Sequence, residues 1–98
     1  MWEIFVPVTD AAGNQISVAF HKKWDKYVSD LTGGLSILPI FNGKWISPTN
    51  GLMQEKMIPV RIVCTKEQIQ KIMGFTQAYY KQQAVMSYCV SKEVLYFE

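Results

Sequence analysis

The sequence predicts a ferredoxin-like α+β domain. Its βαββαβ order would lay two helices on one face of an antiparallel sheet, with an inserted hairpin and an extra C-terminal strand. Three observations predict it. Apolar residues recur at helical spacing in two stretches, near 15–32 and 65–82, and at strand spacing before, between and after them. Turn residues punctuate the middle of the chain at Gly33-Gly34, Asn42-Gly43 and Pro48-Thr49-Asn50-Gly51. Finally, 98 residues without an internal repeat fit one domain, 1–98, near the lower end of what a single core can hold without metal or disulfide.

Trp2 to Val8 alternates as a strand, with Trp2, Ile4 and Val6 on one face and Glu3, Phe5 and Pro7 on the other; Pro7, lacking an N–H, should mark its end. Asp10 to Asn14 reads as a loop. From about Gln15 to Thr32 the period becomes helical: Phe20, Trp24, Tyr27, Val28 and Leu31 share a face, with His21, Lys22, Asp25, Lys26 and Ser29 opposite. Gly33 and Gly34 supply a left-handed cap.

Leu35 to Phe41 is strand-like, and Pro39 argues for an edge position. Asn42-Gly43 is a strong two-residue hairpin signal, so Lys44 to Ser47 should fold back briefly before the turn at Pro48–Gly51. Leu52 to Cys64 is strand-like with a break expected near Ile58, ahead of Pro59, leaving Val60–Cys64 as the core strand. Thr65-Lys66-Glu67-Gln68 has the form of a capping box. The helix it opens should reach about Gln82 and bury Ile69, Ile72, Met73, Thr76, Tyr79 and Tyr80; Gly74 within it suggests a close helix–sheet contact. Ala84–Val90 and Val94–Phe97 read as the last two strands, joined by a tight turn at Ser91–Glu93.

Composition points to an assembly. The chain is 49% hydrophobic and only 18% charged, against averages of roughly 45–50% and about 25%. In a domain this small some apolar surface must lie outside the monomer core. Both faces of Ala84–Val90 are largely apolar and Val94–Phe97 is apolar throughout, whereas a sheet covered on one side should show water a polar face. A homodimer through the sheet face opposite the helices is therefore expected, with C2 symmetry.

Several classes of function are disfavoured. Nine lysines and one arginine stand against eight acids, and apart from Lys22, Lys23 and Lys26 the bases are scattered, which argues against nucleic acid. No run approaches the ~20 apolar residues of a membrane span, and Met1-Trp2-Glu3-Ile4 is no secretory signal, so a cytoplasmic address is expected. Cys64 and Cys89 have no partner at metal-ligand spacing and should be reduced, buried thiols; no metal or cofactor motif is present. Gly33-Gly34 lacks the context of a phosphate loop.

Two side chains stand out for chemistry. Trp45, on a short hairpin, is hard to bury in the core, and Glu55 lies beside apolar Leu52, Met53 and Met57, where desolvation would raise its pKa toward acid–base use. Trp45, Glu55, Tyr79 and Tyr88 are the candidate ligand-binding residues. Glu55 and His21, the sole histidine, are the candidates for catalysis, although His21 sits on the polar side of its helix and no Ser-His-Asp or Cys-His set forms around it.

The run Gly33-Gly34-Leu35-Ser36, Gly43-Lys44-Trp45, Asn50-Gly51, Glu55 and Gln82-Gln83-Ala84-Val85 resembles a group of small uncharacterised bacterial proteins, of mobile-element or cassette type, with GG-[FL]-[ST], G-x-W, G…E and Q-E-A-V elements. The resemblance covers most of the chain from Trp24 onward and implies a ferredoxin-like fold but no activity. Gln83 stands where the last element has glutamate, so no role carries over to that position. Better-known ferredoxin-like families fit less well. The aromatic RNA-binding octapeptide is absent from Met57–Cys64, and the loop Thr9–Asn14 has no arginine of the kind acylphosphatase-like chemistry requires. The sequence therefore reads as a non-catalytic small-molecule- or protein-binding module acting as a homodimer. The alternative is a small cofactor-independent enzyme of the dimeric α/β-barrel type, monooxygenase- or isomerase-like.

Overall fold

In the computed structural model, which describes residues 1–98, the elements run β1 (Trp2–Pro7), α1 (Val18–Thr32), β2 (Ser36–Ile37), β3 (Phe41–Ser47), β4 (Gly51–Ile62), α2 (Lys66–Tyr79) and β5 (Ser87–Cys89). The architecture is ferredoxin-like, two helices on one face of a five-stranded antiparallel sheet in the order β2-β4-β1-β5, with β3 on the far half of β4. Ile4, Val6, Val60 and Ile62 form the sheet side of the core, and Trp24, Val28, Ile69, Ile72 and Tyr80 the helix side.

Local chemistry sets the helix ends. Ser17 Oγ accepts the Phe20 N–H at α1, and Gly33 closes that helix at φ 94° by donating its N–H to Ser29. The Thr65/Gln68 capping box forms as expected. α2 stops at Tyr79 rather than Gln82, because Lys81 turns left-handed (φ 53°) and the Gln82 N–H bonds back to Gln77. Across the helices, the buried Trp24 Nε1–H donates to Thr76 Oγ1 at 2.9 Å, and Thr76 in turn donates to the Ile72 carbonyl.

The middle of the chain departs most from expectation. Asn42-Gly43 makes no turn; it lies inside β3, opposite Lys56 and Glu55. The turn is Pro48–Asn50, closed by Gly51 at φ 70° and by Ser47 Oγ, which accepts the Thr49 and Asn50 N–H groups. β4 runs unbroken through Pro59, and the interruption falls on its neighbours. Leu38 donates to the Pro59 carbonyl, after which Pro39 and Ile40 together face Ile58 before pairing resumes at Phe41↔Met57. Pro59 thus turns its missing N–H toward this two-against-one bulge, where no ladder bond is required.

Three smaller expectations also fail. Space beside Gly74 is open, so no close contact explains that glycine. Cys89 is exposed, because β5 is a short edge strand outside the core, and Cys64, just past the end of β4, is only half-buried against the core's edge. Val94–Phe97 forms no strand and pairs with nothing in its own chain.

Candidate ligand cleft on the open sheet face

Residues paired across an antiparallel ladder project to the same side. The register therefore puts Glu3, Phe5, Arg61, Pro59, Met57, Glu55, Met53, Phe41, Gly43, Trp45 and Tyr88 together on the face away from the helices. That face has two zones. In the first, Glu3 is only 4% exposed although it lies outside the core. Arg61 Nε donates to its Oε1 at 2.8 Å and the Tyr88 hydroxyl donates to its Oε2, so the buried carboxylate is paired and hydrogen-bonded. The Tyr88 pKa is raised, first by this bond to Glu3 and then by burial.

The second zone is a cleft of about 440 Å³ between the β3–β4 arm and the segment leading into β5. Phe5, Phe41 and Met57 form its floor, Trp45 and Glu55 stand on the arm side, and Gln82, Ala84, Val85 and Met86 form the opposite wall. Phe5 meets Phe41 edge-on at 5.0 Å and reaches toward Tyr88 at 6.0 Å, linking the zones. Gly43, directly opposite Glu55, keeps the gap between two rings open: a Cβ there would lie 3.8 Å from Phe41 and from Trp45. Gln82 contributes an amide whose Oε1 is buried without a partner, an acceptor that a ligand N–H or a water can satisfy.

Glu55 is the one carboxylate of this cleft, whose lining also includes Lys44. It belongs to neither of the two ion pairs, Lys26–Asp30 and Arg61–Glu3. Burial against its apolar neighbours pushes its pKa up, as the sequence suggested. An unpaired carboxylate beside aromatic faces suits an organic cation, which draws on both the charge and the ring quadrupoles.

The structure brings together Trp45 and Glu55 and keeps the other candidates apart. Tyr88 shares their face, but its hydroxyl is engaged by Glu3 at the far end. Tyr79 is in the helix layer, stacked between Phe20 (4.1 Å) and Phe75 (5.2 Å), with its hydroxyl donating to the Phe20 carbonyl. His21 is also in that layer. Rather than facing water it is half-buried, with Nδ1 2.7 Å from the Tyr80 hydroxyl, and burial lowers its pKa while Asp25 opposes the shift. A sheet separates it from Glu55, so the two cannot act on one small ligand. Phe5, Phe41, Met57 and Gln82 escaped the sequence reading, since their place in the site depends on pairing between distant strands. The Gln82–Val85 motif was the one local signal.

A second cleft, about 490 Å³, lies between the 10–17 loop and the end of α2. Its carboxylate, Asp10, already accepts the Ala12 and Asn14 N–H groups. No three His, Cys, Asp or Glu side chains converge as a metal site.

No family model and no curated protein matches the chain. Solved structures do match in fold. A phage SAM lyase in complex with S-methyl-5'-thioadenosine superposes with a TM-score of 0.66 at 17% identity, over 88% of this chain and 75% of that one. The divalent cation tolerance protein CutA1 of Thermus thermophilus gives 0.64 at 11% identity, over 95% and 84%. The periplasmic divalent cation tolerance protein CutA of Archaeoglobus fulgidus gives 0.63 at 8%, again over 95% and 84%. At these identities the likeness is one of fold.

Proposed function

We propose that this chain is a small-molecule-binding module, acting as a homodimer, whose Trp45–Glu55 cleft takes an organic cation that carries a flat ring, of the sulfonium-nucleoside class. The observation that carries the reading is Glu55: a half-buried, unpaired carboxylate on an aromatic floor, beside an orphaned amide oxygen. A purine would lie against Trp45 and Phe41 while the cation neutralises Glu55. The complex of a fold neighbour with a nucleoside thioether supports the choice of class. Exposed Met86 in the cleft wall and exposed Tyr88 farther along the same face support a second subunit there. The free thiols Cys64 and Cys89 favour a reducing, cytoplasmic address.

Calorimetric titration tests this with S-adenosylmethionine and its neutral relative S-methyl-5'-thioadenosine. Saturable binding of both, tighter for the cation and weakened by Trp45→Ala, supports the assignment; no heat from either at millimolar ligand refutes it. The raised Glu55 pKa also favours a second reading, a cofactor-independent enzyme with Glu55 as the base. Chromatography of an S-adenosylmethionine incubation decides between them, since turnover lost in Glu55→Gln would make the chain an enzyme.

A further inference from the structure

The β3–β4 arm has a free edge. β1 borders β4 only as far as Pro7↔Met57, with a last bond from the Val8 N–H to the Lys56 carbonyl. From Gly51 to Glu55 β4 pairs with β3 alone, so its other edge offers unused N–H and C=O groups. A two-stranded ribbon is marginal by itself in water. This one also exposes Ile46 and Leu52, on a molecule 46 Å long and 23 Å thin.

The same chain carries an unused strand. Its root is pinned, the Met1 ammonium donating to the Ser91 carbonyl at 2.6 Å and the Val90 N–H to the Met1 carbonyl at 2.8 Å. Beyond the Ser91–Glu93 turn, Val94-Leu95-Tyr96-Phe97 has strong strand propensity yet pairs with nothing. Leu95, Tyr96 and Phe97 are 85%, 84% and 98% exposed.

This tail cannot reach its own arm. From the Trp2 end, where it is pinned, the register counts five steps to Pro7 and two more from Met57 to Glu55, roughly 24 Å at about 3.4 Å per residue. The three residues from Ser91 to Val94 span at most about 11 Å. The free edge and the unpaired tail can therefore meet only across two chains. We propose that Val94–Phe97 of one chain adds as a strand to the Gly51–Glu55 edge of a second copy. Two such exchanges close a twofold pair. The added strand borders the cleft at Glu55, so each ligand site is finished by its partner's tail.

The test needs no ligand, so its failure is separate from failure of the binding assignment. Light scattering should give twice the 11.3 kDa chain mass, falling to one chain when residues 92–98 are removed, and a larger assembly would overturn the twofold pairing. Cross-linking provides a second measurement should the shortened chain misfold. With Cys89→Ser as background, separately purified Leu52→Cys and Tyr96→Cys chains should form a mixed disulfide under mild oxidation. Val18→Cys, on exposed α1, should not cross-link to Tyr96→Cys. A monomeric full chain, a dimer that survives removal of the tail, or equal cross-linking to Val18→Cys would each overturn the proposal.

Discussion

Replacing Glu55 by glutamine keeps the side chain's shape and removes its charge, and the structure gives stability and binding opposite signs for the change. Burial raises the Glu55 pKa on folding, so the folded chain holds the carboxylate proton more tightly than the unfolded chain does. The stability this confers is fully present below the unfolded pKa and is lost as pH rises through the folded one. At pH 7 the wild type has lost it, and Glu55→Gln should unfold at higher urea than wild type, with the difference closing near pH 4. Binding of a cation should go the other way. A charge pair 4 Å apart at an effective dielectric constant of 20 attracts by about 4 kcal/mol. A half-open cleft loses most of that to solvent screening, leaving roughly 1–2 kcal/mol, or about a 10-fold loss of affinity. Trp45 sits in the cleft, so its fluorescence can follow titration with S-adenosylmethionine and with S-methyl-5'-thioadenosine. The variant should lose affinity for the cation about 10-fold and for the neutral thioether less than threefold. Equal losses for both ligands would refute an electrostatic role for Glu55, and a variant less stable than wild type at pH 7 would refute its desolvation.

Three further outcomes follow from the geometry. Gly43→Val should leave the fold intact, since valine suits a strand and the added Cβ meets only ordinary contacts, yet it should abolish ligand binding by filling the gap between Phe41 and Trp45; unchanged affinity would move the site elsewhere. Thr76→Val leaves the buried Trp24 N–H without an acceptor, which should cost about 1–3 kcal/mol in urea denaturation. Adding Trp24→Phe removes that N–H, so the double variant should lose less than the sum of the singles, and strict additivity would show the bond to be idle. The His21 pKa is lowered by burial, with Asp25 opposing and the Tyr80 hydroxyl adjacent. Its contribution to stability is present above the unfolded pKa and lost as pH falls through the folded one. His21→Gln should therefore flatten the loss of stability between about pH 7 and pH 5, and an unchanged slope would exclude His21 as its source.

What the sequence made legible was whatever depends on neighbours within a turn or two. Ser17 was missed as a cap, but Gly33, the Thr65/Gln68 box and the buried faces around Trp24, Val28, Ile69 and Ile72 follow from local spacing and lie where that spacing puts them. The strands read less well because each needs a distant partner. By sequence Pro39 marks an edge position and Pro59 a break in another strand; in the fold they meet at one feature, a bulge at which both missing N–H groups are harmless. Val94–Phe97 has every local mark of a strand and no partner in its own chain, so local preference alone could not settle its state.

The cleft itself hangs on one choice of turn. With the reversal at Pro48–Asn50, facing positions on β3 and β4 sum to 98, as in Phe41↔Met57 and Gly43↔Glu55. Odd numbers therefore share a face, and Trp45 and Glu55, ten residues apart, come together. A reversal at Asn42-Gly43 would have placed Trp45 against the Ile40 region, left Glu55 on another strand and dissolved the site. The Asn-Gly signal is locally strong. It gives way because the longer arm keeps Phe41 on Met57 and Phe5, and because the Pro48–Gly51 turn has its own supports in Ser47 Oγ and the positive φ of Gly51. A one-residue slip in this register would turn Trp45, Phe41 and Glu55 to opposite sides of the sheet. The turn that closes the arm is thus what brings into one cleft residues that are otherwise an aromatic and an acid on separate strands.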